Sequence, residues 1–148
     1  HGERSGDAET WYRKAAEGNH AKAMLNLGVL HHDRGDLDKA ETWYRKAAET
    51  GNTTAMGNLG VLLHEQDRAG EAETWFRKAA ETGYLPAMYS LGILLLDRGH
   101  TGAAESWLRR ASEAGHTKAM YGLGNLLRSR GKASEAETWF RKAAETEA

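Results

Sequence analysis

The sequence predicts an all-α fold, a right-handed α-solenoid of helix-turn-helix repeats with about nine helices. Three observations predict it. The five tryptophans, Trp11, Trp43, Trp75, Trp107 and Trp139, follow one another at a constant step of 32 residues. The same step returns in Ala23-Met24, Ala55-Met56, Ala87-Met88 and Ala119-Met120. It returns again in Leu27-Gly28, Leu59-Gly60, Leu91-Gly92 and Leu123-Gly124. All these markers keep register without an insertion, and a period in this range belongs to a supersecondary unit stacked several times.

Each unit reads as two helices. In residues 53–66, Ala55, Met56, Leu59, Leu62 and Leu63 fall at the spacing of one helical face. In residues 70–82, Ala72, Trp75, Phe76, Ala79 and Ala80 do the same. The alternation of a strand is absent. The expected order is a lone second-type helix over about residues 7–17, then four pairs starting near 21, 53, 85 and 117, the whole of 1–148 forming one repeat domain. Gly51, Gly83 and Gly115 between pairs, and Gly35, Gly99 and Gly131 within them, occupy the place just past a helix end. Asp67 stands there in the second pair, and Asn19 at the first junction, where Gly18 comes one place early. On the first helices Gly28, Gly60, Gly92 and Gly124 are expected to face Ala40, Ala72, Ala104 and Ala136 on the second. The close approach would offset the roughly 1 kcal/mol that a mid-helix glycine costs.

Composition narrows the function. With 40% apolar and 28% charged residues the chain is one that folds rather than stays disordered. Its net charge of −1 gives no electrostatic ground for nucleic acid or an anionic membrane as partner. The longest aliphatic run, Ile93 to Leu96, is far too short to insert in a bilayer. The absence of cysteine excludes disulfides and thiolate metal sites. No signal peptide is read at the start, which favours the cytoplasm. The chain opens without Met and starts and stops in mid-pattern, so a longer parent array is expected, with His1-Gly2 an added remnant.

The spacing of Leu59-Gly60, Ala72, Phe76 and Ala79 resembles the tetratricopeptide repeat. The stretch from Lys39 through Ala40, Trp43, Lys46, Ala47, Ala48 and Glu49 to Gly51 is similar to the second helix of the Sel-one-like relative. The likeness runs from about Gly6 to Ala148. The Gly-x-Gly-Val insertion between Sel-one-like helices is lacking here. The resemblance implies a protein-binding adaptor or scaffold without catalysis of its own.

Catalytic and cofactor motifs are missing: no phosphate loop, nucleophile elbow or HExxH pattern is present, and neither an enzyme nor a cofactor is expected. His31, His32 and His64 with Asp33 and Glu65 allow a weak metal site, set against a solvated helix face for His32 and His64 and a partly buried core substitution for His31. The basic ladder Arg13-Lys14, Arg45-Lys46, Arg77-Lys78, Arg109-Arg110 and Arg141-Lys142 suggests a nucleic-acid stripe. Each arginine has a glutamate four residues before it, as Glu41 before Arg45 and Glu73 before Arg77, and such pairs cancel the field. The tryptophan and methionine rows read as core. Asn52-Thr53-Thr54 matches a glycosylation sequon but reads equally as a helix cap.

The resemblance also implies where a ligand sits, because in such arrays the first helix of each pair lines a concave groove. The inward positions include Asn26, Val29, Asn58, Val61, Tyr89, Ile93, Lys118, Tyr121, Asn125 and Arg128. They vary from unit to unit while the core repeats, and they combine an apolar floor with tyrosines and amides. A protein or peptide ligand is expected there. The family's carboxylate clamp carries over only at Lys118, since Leu25, Gly57, Tyr89 and Tyr121 fill the place of its inward lysine. The alternatives are a structural or engineered scaffold without ligand, and a regulatory piece of a larger enzyme. A last expectation concerns the end of the array: with no pair after Trp139 and Phe140, the C-terminal helix would be uncovered and prone to self-association.

Overall fold

The structure, a computed structural model, describes residues 8–14 and 20–147. Among the described residues every regular element is an α-helix. The described part of α1 spans residues 8–14. It is followed by α2 (Ala21–Asp33), α3 (Leu37–Glu49), α4 (Thr53–Glu65), α5 (Ala69–Glu81), α6 (Leu85–Asp97), α7 (Thr101–Glu113), α8 (Thr117–Ser129) and α9 (Ala133–Glu147). Even-numbered helices open a pair and odd-numbered helices close one. The first junction, with Gly18 and Asn19, and the ends expected for the lone helix lie outside the described residues. The chain forms two compact units, His1–Trp75 and Phe76–Ala148.

The helices share one stop mechanism, so α2 to α8 run 13 residues each. At the end of α2 the chain turns through Gly35 at φ 81°. The Gly35 N–H donates to the His32 carbonyl at 3.0 Å and the Asp36 N–H to the His31 carbonyl at 2.9 Å, satisfying the last-turn acceptors. Asp67 makes the same turn at φ 61°, its own N–H bonding His64 and that of Arg68 bonding Leu63. Aspartate is among the few side chains that tolerate this backbone. At the other end of a helix, Asn52 Oδ1 accepts from the Ala55 N–H at 2.8 Å, so the sequon asparagine caps α4.

In the first unit Leu27, Leu59, Leu62 and Leu63 are sealed from solvent together with Ala40, Ala47 and Ala55. In the second the same registers are filled by Leu91, Leu123, Leu127, Ala79, Ala104, Ala111 and Ala119. The glycine row makes room for a different neighbour from the one expected. A Cβ on Gly124 would come within 2.6 Å of Phe140 Cε1, and one on Gly92 within 2.8 Å of Leu108 Cγ. Gly28 stands in the same relation to the Tyr44 ring. The missing side chain therefore accommodates the bulky residue one turn beyond the alanine, and the alanine lets the backbones close.

The tryptophan row differs from expectation in its direction. Trp139 is buried, 7% exposed, whereas Trp11 is 74% exposed. Trp43 and Trp75 are half-buried and Trp107 is buried. The ring looks back toward the preceding pair: Arg45 of α3 lies 6.0 Å from the Trp75 centroid. Trp139 in turn borders a cleft of about 480 Å³ with Ser112 and Glu113 at the end of α7 and Met120 of α8. Trp139 is thus covered although its helix is the last, and Trp11 has no described second-type helix before it.

The arginine ladder is neutralised more fully than its own helix allows. Arg45 pairs with Glu41 at 2.8 Å and approaches Glu71 of the next second-type helix at 3.8 Å. Arg68, in the turn before α5, reaches back to Glu41 at 2.7 Å. The second unit repeats this with Arg109, Glu105, Glu135 and Arg130, all at 2.7–2.9 Å. Arg34 closes on Glu9 in the same way. Within each unit a glutamate held by two guanidiniums, one from the following turn, stitches one second-type helix to the next.

Candidate functional site

The exposed positions of the first-type helices follow from the register just described. Within one first-type helix the core takes the Ala-Met and Leu-Gly markers, and the residue that follows each Leu-Gly is left more open to solvent. Val29 of α2 and Val61 of α4 lie at the same register and are 37% and 41% exposed. With Trp11 they are the large apolar side chains left exposed among the described residues. Asn26 and Asn58 precede them by three residues and are half-buried. The first unit therefore carries two valines flanked by two amides on α2 and α4.

The second unit carries the more varied face. Tyr89 and Ile93 of α6 are partly exposed, and Lys118, Asn125 and Arg128 of α8 are exposed. A Cβ on Gly122 would lie 3.7 Å from both Tyr89 Cε1 and Ile93 Cδ1, so the two side chains converge on the glycine beside Tyr121. Arg128 donates to Asn125 Oδ1 at 3.1 Å and stacks 5.6 Å over the Phe140 ring. The Tyr121 ring also packs near Phe140, and its hydroxyl donates to Glu147 at 3.0 Å. That hydrogen bond raises the phenol above its ordinary value. Tyr121, Asn125 and Arg128 are thus gathered on one side of α8 against α9, with Tyr89 and Ile93 on α6.

His116 and Tyr44 were not singled out from sequence. His116 caps α8, its Nδ1 accepting the Ala119 N–H at 3.1 Å, while its ring stacks on Tyr89 at 5.4 Å and 30°. The signal was available, because His116 holds the register at which Asn52 caps α4. His32 is not the solvated residue expected. It is half-buried, with Nδ1 3.1 Å from the Tyr44 hydroxyl and Nε2 3.4 Å from Glu65. Burial, with Asp33 and Glu65 nearby, pushes the Tyr44 phenol up to about 12, so it stays neutral. His31 is buried in the leucine register, its Nδ1 without a hydrogen-bond partner. Among the described residues no group of three His, Cys, Asp or Glu is arranged to hold a metal ion. No described helix is long and apolar enough to cross a membrane.

Two family models described as tetratricopeptide repeat match residues 20–83 and 87–148, and a Sel1 repeat model matches residues 7–20. No curated protein matches the sequence. Among solved structures, MamA is 25% identical, with a TM-score of 0.77 over 98% of this chain and 91% of that one. A Sel1 repeat protein from Oxalobacter formigenes is 26% identical, with a TM-score of 0.72 over 91% of this chain and 61% of that one. A protective antigen of uropathogenic Escherichia coli displaying an SLR fold is 30% identical, with a TM-score of 0.76 over 93% of this chain and 33% of that one. The fold class is that of an all-α helical-repeat solenoid.

Proposed function

The chain belongs to the tetratricopeptide and Sel1-like repeat family, whose members are in general protein-interaction scaffolds, and from that membership we propose that it holds a peptide segment on its first-type helices. In the first unit the contact residues are Asn26, Val29, Asn58 and Val61. In the second they are Tyr89, Ile93, Lys118, Tyr121, Asn125 and Arg128. The observation that carries the reading is the exposure of Val29 and Val61 at one register, on a chain whose other repeated apolar positions are mostly buried. Water-exposed valines gain by burial against a ligand, and the neighbouring amides can donate to and accept from a peptide backbone. The outer face supports the assignment by contrast, because its glutamates and arginines are already paired. Catalysis is no part of this reading.

The test is calorimetry with a peptide selected from a display library on the whole chain. Tyr121→Ala should weaken binding by about 2 kcal/mol or more if it is an anchor. Arg45→Ala, on the outer face, should change it little. Loss of binding in Arg45→Ala with Tyr121→Ala and Tyr89→Ala intact would move the site to the outer face.

A further inference from the structure

We propose that His116 makes the peptide face of the second unit pH-sensitive, its unprotonated ring capping α8 and bracing Tyr89 at once. The inference rests on the reading of that face as a binding site and adds its regulation. The geometry requires one protonation state. An Nδ1 that accepts the Ala119 N–H at 3.1 Å carries no proton. Adding one removes the acceptor, strands a first-turn donor, and places a cation at the positive end of the α8 dipole. The ring must then turn from its cap, and Tyr89, which stacks on it at 5.4 Å, loses its backing. Tyr89 is one of the two side chains that converge on Gly122 beside Tyr121.

The groups around the imidazole act in the same direction. Burial disfavours the charged form, and Lys118, on its own helix, repels a second positive charge, which together lower His116 from its ordinary 6.5. From α6 the facing group is Tyr89, and α7 ends at Glu113, three residues before His116. The corresponding cap residues of the other pairs separate the two roles. Asn52 caps α4 with an amide that does not titrate, whereas His20 and Tyr84 make no side-chain cap bond. His116→Asn is therefore a variant that keeps the cap and removes the switch.

Two measurements on the whole chain decide the matter. In the first, nuclear magnetic resonance follows the His116 ring, the Tyr89 ring and exchange of the Ala119 amide from pH 7.5 to 5. The Tyr89 shifts and Ala119 exchange should follow the His116 midpoint in the wild type and stay flat in His116→Asn. In the second, the display-selected peptide, labelled with fluorescein, is titrated at both pH values. Wild-type affinity should fall by up to about fivefold on acidification, the factor a helix cap carries. The His116→Asn chain, which lacks the ring behind Tyr89, should bind equally at both pH values, and by reciprocity the bound peptide should lower the His116 midpoint of the wild type. Equal pH loss in wild type and His116→Asn, or Tyr89 and Ala119 signals indifferent to the His116 titration, overturns the switch. Peptide binding that survives Tyr89→Ala and Tyr121→Ala at pH 7.5 overturns the face itself, and the first measurement still rules on the cap.

Discussion

The Phe140 ring lies against the bare backbone of Gly124, so close that a Cβ there would sit 2.6 Å from Cε1. An aromatic ring flanked by a packed helix has little freedom to withdraw, and overpacking of this kind costs about 1–3 kcal/mol. Gly124→Ala should therefore destabilise the chain by that amount, despite the better helix propensity of alanine. Gly102, on α7 with nothing within 4 Å of a Cβ, is the control. Gly102→Ala should be neutral or stabilising by up to about 1 kcal/mol. Urea unfolding of the two variants gives the comparison.

His31 occupies a leucine register, only 2% exposed, with one ring nitrogen lacking a hydrogen-bond partner. Its nearest carboxylates, Glu9 at 4.0 Å and Asp36 at 3.8 Å, lie beyond hydrogen-bond range. A buried unsatisfied polar group costs about 1–3 kcal/mol. His31→Leu, which restores the residue found at Leu63, Leu95 and Leu127, should raise stability by about 1–2 kcal/mol. A lower thermal midpoint in the variant would show that the imidazole is a needed part of this core.

Hydrogen bonds from Arg68 and then Arg45 hold the Glu41 carboxyl below its ordinary 4.5. Arg109 does the same first for Glu105, aided by the charges of Lys132 and Arg130. A carboxylate depressed in the folded state contributes stability that is fully present above its unfolded value and fades as pH falls through the folded one. Stability to urea should thus decline below about pH 4.5. Glu41→Gln should flatten part of that decline and reduce the effect of added salt on stability at pH 7, because these partly exposed pairs are screened. Matched denaturation curves at low and high ionic strength read both effects.

Trp139 and Trp11 hold the same repeat position and differ in cover. Truncating the buried Trp139 to alanine should cost about 3–5 kcal/mol. Truncating Trp11, 74% exposed, should stay within about 0.5 kcal/mol. If the rings faced forward along the array the order would be reversed, so thermal unfolding of the two variants tests the direction of stacking.

The sequence by itself determined the helical class, the 32-residue step and the helix starts at Ala21, Thr53, Leu85 and Thr117. These follow from local periodicity and turn chemistry, both of which act over a few residues and are repeated in every unit. The Asp67 turn was legible for the same reason. What faces what was decided only in the tertiary structure. A tryptophan row shows that a position is packed but not whether the ring meets the pair before or the pair behind. A glycine row shows that something comes close but not that it is Phe140 rather than Ala136. The partners of His32, His116 and Tyr121, namely Tyr44 with Glu65, Tyr89 with the Ala119 amide, and Glu147, lie on neighbouring helices or at a helix start. Side-chain length and rotamer, which no spacing rule carries, bring those groups within bonding distance.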